Sequence, residues 1–121
     1  MSPLWTVLVM VLQLVGAVGA PSVQEAASPA EVVIHVTARR FEYRPAEIVV
    51  RRNGPVVLEL ASEDRSHGFN VPELGLRADI EPGAPVRLRF TPDRVGRFPF
   101  HCDVYCGSGH EDMTGEIVVT D

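Results

Sequence analysis

Near the C-terminus, the segment Cys102-Asp103-Val104-Tyr105-Cys106-Gly107-Ser108-Gly109-His110-Glu111-Asp112-Met113 gathers two thiols, an imidazole and a thioether into one short stretch. Thiolate, imidazole and thioether are soft to borderline donors, and together they select copper over zinc, magnesium or calcium. A second imidazole, His67, lies far upstream in Asp64-Arg65-Ser66-His67-Gly68-Phe69-Asn70, so the tertiary fold has to carry it to the loop. These residues predict a copper site, and their number decides which kind.

A mononuclear blue-copper centre takes one thiolate, two imidazoles and a weak axial thioether. Cys106, His110, Met113 and His67 meet that requirement and leave Cys102 over. A thiolate has lone pairs enough to bridge two metals, so two facing cysteines can hold a pair of copper ions, each with one imidazole. The weak positions are then open to Met113 and to the backbone carbonyl of Val104, between the cysteines. In an exported chain two thiols ordinarily pair as a disulfide. The His and Met at matching intervals favour metal instead, and the thiols must then be kept reduced until copper arrives.

The pattern Cys-x3-Cys-x3-His-x2-Met, with a distant His in a Ser-His-Gly-Phe context, resembles the binuclear CuA domain of cytochrome c oxidase subunit II and of nitrous oxide reductase. The resemblance extends through Phe41-x-Tyr43-x-Pro45, Val71-Pro72-Glu73-Leu74-Gly75, Pro82-Gly83 and Met113-x-Gly115-x-Ile117-Val118-Val119, from about Val32 to the C-terminus. It is nearest to subunit II of the B-type oxidases. The resemblance implies bridging thiolates at Cys102 and Cys106, with His67 and Met113 on one copper and His110 and the Val104 carbonyl on the other. Many subunit II sequences carry Glu at the position of Val104, where its side chain also touches magnesium; Val has no such oxygen.

The elements that must position these residues read as strands. Val32–Thr37, Ile48–Val50, Val56–Leu60 and Val86–Phe90 are short β-branched or alternating runs, and Arg97–Cys102 and Glu116–Val119 flank the ligand loop. Asn53-Gly54-Pro55, Pro82-Gly83 and Thr91-Pro92-Asp93 punctuate them as turns. Many short strands with regular turns indicate an all-β sandwich or Greek-key barrel. The resemblance narrows that to a cupredoxin-like fold over residues 31–121. Alternation puts Phe98, Phe100 and Cys102 on one face and His101 on the other. By the same rule His35 is exposed, whereas His67 sits at a loop-to-strand edge.

Residues 1–20 hold no charged side chain and run from Leu4 through Val15 into Gly16-Ala17-Val18-Gly19-Ala20, which reads as a cleaved export signal or a retained membrane anchor. Residues 21–30 form a small, polar linker. The expected location is the periplasm or the outer face of the cytoplasmic membrane. The formal charge of −5 falls wholly beyond residue 20, and every basic residue is Arg. An acidic chain without basic clusters is a poor nucleic-acid binder. Glu63 and Asp64 before His67, with Asp103, Glu111 and Asp112 within the ligand loop, suggest an acidic mouth that would steer a basic redox partner.

No arrangement of nucleophile, base and acid stands apart from the loop, and the ligand set leaves no open position for a small-molecule substrate. Both facts argue for electron transfer without catalysis. The resemblance implies a cytochrome c or cupredoxin donor and a terminal oxidase or reductase as acceptor. Two alternatives remain at this level: a copper-delivery protein working through Cys102 and Cys106, or a mononuclear cupredoxin using Cys106 alone.

Overall fold

The computed structural model describes residues 30–121. The expected signal or anchor lies outside the described residues, as does the linker up to residue 29.

Nine strands follow one another with no α-helix among the described residues: β1 (Val32–Arg39), β2 (Glu42–Arg44), β3 (Glu47–Arg51), β4 (Val56–Ser62), β5 (His67–Val71), β6 (Leu76–Ile80), β7 (Val86–Phe90), β8 (Gly96–His101) and β9 (Thr114–Thr120). They form a four-stranded sheet in the order β2-β1-β4-β7 and a five-stranded sheet in the order β3-β9-β8-β5-β6. Pairing is antiparallel except for β1 with β4 and β3 with β9. The all-β sandwich expected from the sequence is therefore present, and no described helix is long and apolar enough to cross a membrane.

Period-two burial explains why these segments pair. In β3, Ile48 and Val50 are buried while Glu47, Val49 and Arg51 face out. In β8, Phe98 and Phe100 enter the core and Arg97 and Pro99 do not. Successive side chains of a strand point to opposite faces, so each sheet buries its apolar row against the other. Two strands were not expected from the sequence, and a third only as an edge beginning at His67. Strand β6 alternates cleanly but is weakly apolar, β2 is only three residues long, and β5 contains Gly68 and Asn70, which have low strand propensity. His67 is the first residue of β5, at the loop-to-strand edge where it was expected.

At one end of the sandwich the core becomes aromatic. Tyr43 meets Phe100 edge-on at 5.0 Å between centroids and Phe69 at 5.9 Å, and Phe69 lies 4.7 Å from Phe100. Such pairs contribute about 0.5–1.5 kcal/mol beyond their buried area. Cys102, Cys106 and Met113 belong to the same buried cluster. The ligand loop thus rests on the core itself.

Candidate metal centre

The loop after β8 is closed at its base by the amide of Cys102, which donates to the carbonyl of Met113 at 3.1 Å. Within it, His110–Asp112 forms a 3₁₀ turn. The amides of His110, Asp112 and Met113 donate to the carbonyls of Gly107, Gly109 and His110, at 3.1, 3.1 and 3.2 Å. These local bonds fold the loop back on itself and hold its ends together. They set Cys102, Cys106, His110 and Met113 around one point.

Cys102 and Cys106 are both buried and both free, with their Sγ atoms 3.8 Å apart. That gap far exceeds a disulfide bond of about 2.0 Å, and metal–sulfur bonds of about 2.3 Å on either side can span it. One nitrogen of the fully buried His67 ring lies within 4.8 Å of both sulfurs. His110 Nδ1 stands 3.6 Å from Cys106 Sγ, and Met113 Sδ stands 3.8 Å from the same sulfur. The Val104 carbonyl accepts from Cys102 Sγ at 3.1 Å. All six residues singled out in the sequence therefore converge, with His67, Cys102 and Cys106 as the tightest group.

The protonation pattern fits a metal as well as the distances do. The Asp64 carboxylate approaches His67 Nε2 at 2.6 Å, and a carboxylate only accepts, so Nε2 carries the proton. Nδ1, on the other side of the ring, has no hydrogen-bond partner although it is buried. A buried polar atom without a partner is costly, and a metal ion would satisfy it. Burial, followed by the neighbouring Cys102 thiol, raises the pKa of Cys106. Without metal that thiol keeps its proton, and a cation must displace it.

Several residues around this group were not recognised from the sequence. Tyr43 Oη donates to the carbonyl of Gly68 at 2.6 Å, and burial, then Cys102, push its pKa up. The Gly68 amide donates to Cys102 Sγ at 3.3 Å. Gly68 is required there, because a Cβ would lie 1.9 Å from the carboxylate of Asp103. Burial opposes ionisation of Asp64, but the Arg40 amide, the His67 ring and the Arg65 amide outweigh it and hold the carboxyl at about 2. The sequence offered Asp64 only as one of the acids of the mouth; its bond to the His67 ring comes from the fold.

One expectation needs correcting. Asp103 is not a free charge at the mouth, because Arg77 on β6 grips it with Nε at 2.7 Å and a second nitrogen at 3.1 Å. Burial disfavours its charge, yet the Arg77 fork outweighs burial and lowers its pKa. Glu111 and Asp112 remain exposed. Of the other histidines, His35 is 72% exposed and faces Glu59 at 3.5 Å. His101 lies outside the cluster, on the outward face of β8.

A two-sheet β-sandwich with thiol, imidazole and thioether donors collected in the loop before its last strand defines the cupredoxin class, and the chain belongs to the cupredoxin-like domain family, whose model matches residues 7–119. It is homologous to cytochrome c oxidase subunit 2 of Thermus thermophilus, with 35% identity over 91 residues that cover 75% of this chain and 67% of that one. A subunit 2 from another strain of that organism is also 35% identical, and the chain spans 54% of its length. The nitrous-oxide reductase of Pseudomonas fluorescens is 27% identical over 93 residues, covering 74% of this chain and 15% of the reductase. Among solved structures, the periplasmic domain of subunit II of the Bradyrhizobium japonicum cytochrome oxidase has the same fold, with a TM-score of 0.70 at 20% identity, covering 78% of this chain and 88% of that one. This kinship and the His67, Cys102 and Cys106 group support a copper-binding electron-transfer domain.

Proposed function

We propose that the chain is an exported CuA-type domain that holds two copper ions and relays single electrons from a cytochrome c or cupredoxin to a terminal oxidase or related reductase. Cys102 and Cys106 would bridge the pair, His67 and Met113 would complete one ion, and His110 and the Val104 carbonyl the other. The observation that carries this reading is the pair of unbridged, buried thiols 3.8 Å apart, beside an imidazole whose Nδ1 has no partner. A mononuclear site would leave one of those thiols idle. Homology to an oxidase subunit favours electron relay over copper delivery.

Bound copper would supply the one-electron couple, and the chain's own residues do the rest. Hydrogen bonds across the loop base and from Gly68 fix the sulfurs, so the ligands need little movement when charge changes. Phe69 and Phe100, both buried, keep water from beneath the site. His110 is half-buried and packs against Tyr105, which is 71% exposed, with ring centroids 5.8 Å apart. Those two rings connect the buried sulfurs to the surface where a partner would touch.

The apoprotein, loaded with copper under reducing conditions and then oxidised, is expected to hold two coppers per chain. Its paramagnetic resonance spectrum should show one unpaired electron shared equally by both ions. One copper with a mononuclear blue spectrum would overturn the binuclear reading. Rapid reduction by ferrous cytochrome c without metal loss would separate relay from delivery, since a delivery protein surrenders its copper to an apo-acceptor.

A further inference from the structure

The turn between β1 and β2 contributes no proposed ligand, yet it touches both halves of the metal centre. Arg40 Nε donates to the carbonyl of Cys106 at 3.1 Å. The backbone amide of the same residue donates to Asp64 Oδ2 at 2.8 Å, and the other oxygen of Asp64 meets His67 Nε2 at 2.6 Å. The next residue, Phe41, lies under the ligand loop: a Cβ on Gly107 would sit 2.9 Å from its ring, and one on Gly109 2.5 Å. Gly107 also has φ +138°, which side chains other than glycine rarely adopt.

His67 arrives from β5 and Cys106 from the loop between β8 and β9, segments far apart in the chain. Strand pairing alone links them weakly, since β5 and β8 share a single registered pair, Asn70 with His101. Arg40 ties the two through its own bond to Cys106 and the bond of Asp64 to His67. Its guanidinium presents a planar, permanently charged donor to a carbonyl, and charge-assisted hydrogen bonds are roughly twice as strong as neutral ones.

We propose that Arg40 is a positioning residue for the metal centre, fixing the carbonyl of Cys106 with its side chain and His67, through Asp64, with its amide. The inference rests on the copper reading for its purpose, but the tie itself exists in the metal-free protein. The guanidinium acts in a second way as well. A fixed positive charge beside the Cys106 peptide favours the state with one more electron, so it raises the reduction potential of a bound metal.

The test uses Arg40→Met, which keeps the stem and removes the fork, and Arg40→Lys, which keeps the charge on a differently shaped donor. Amide hydrogen exchange on the metal-free chain should accelerate about tenfold or more across Cys102–Met113 in Arg40→Met, the size expected for one lost charged hydrogen bond, while β4 and β9 stay protected. The copper-loaded Arg40→Met variant should have a lower reduction potential than the original chain. Arg40→Lys should recover the potential but not the loop protection. Unchanged loop exchange in Arg40→Met overturns the proposal. Equal acceleration in β4 and β9 overturns it in favour of general stabilisation, and recovery of both properties by Lys overturns the role of the fork. Failure of the original chain to bind copper would defeat the functional reading alone, because the exchange result does not depend on metal.

Discussion

At the scale of single residues, the donors divide by how much each bond contributes. Each thiolate is proposed as a bridge, so Cys102→Ser or Cys106→Ser should abolish the shared-electron spectrum, with copper content measured alongside. Met113 is fully buried, and the place proposed for its thioether is that of a weak axial donor. Met113→Leu should therefore keep both coppers, shift the potential, and cost under about 1.5 kcal/mol because volume is conserved. His35→Ala and His101→Ala should retain both coppers, since neither ring joins the buried group. Loss of metal in either variant would show that a ligand has been misassigned.

At the scale of elements, the site depends on strands that carry no ligand. Tyr43 on β2 reaches across to the carbonyl of Gly68, next to His67, and its ring supports Phe100. Tyr43→Phe keeps the ring and removes the hydroxyl. It should destabilise the domain by about 1–3 kcal/mol, the cost of leaving a buried acceptor without its donor, measured as a lower denaturation midpoint with unchanged slope. Gly115 on β9 plays the complementary part. A Cβ there would lie 2.3 Å from the Phe100 ring and 2.4 Å from the Ala46 carbonyl, so only glycine lets β9 pass beneath the aromatic floor of the site.

At the scale of the whole molecule, charge decides how partners approach. Pairing with Arg77 cancels much of Asp103, which leaves Glu111 and Asp112 as the acids of the ligand loop without an Arg partner among the described residues. Electrostatic steering depends on uncompensated charge and fades with salt. The rate of reduction by a basic donor should therefore fall with ionic strength, and Glu111→Gln with Asp112→Asn should flatten that dependence. Stopped-flow reduction at several salt concentrations checks this. An unaltered salt slope in the double variant would place the docking charge elsewhere.

The cluster of donor side chains was legible in the sequence because four of them lie within one twelve-residue loop, where spacing alone keeps them close. The strand pattern of β1, β3, β4 and β7 to β9 was legible too, because alternation follows from the two-residue period of a strand. Tertiary structure decided what depends on contacts between distant segments. It brought His67 within 4.8 Å of both thiols, left its Nδ1 without a partner, and set Asp64 on the opposite nitrogen. It also neutralised Asp103 with Arg77, 26 residues away, and placed Arg40 between the two halves of the site. A linear pattern records which side chains are present, but the partner of a charge or hydrogen bond is chosen by strand order and register, and those are fixed only when the two sheets close on one core.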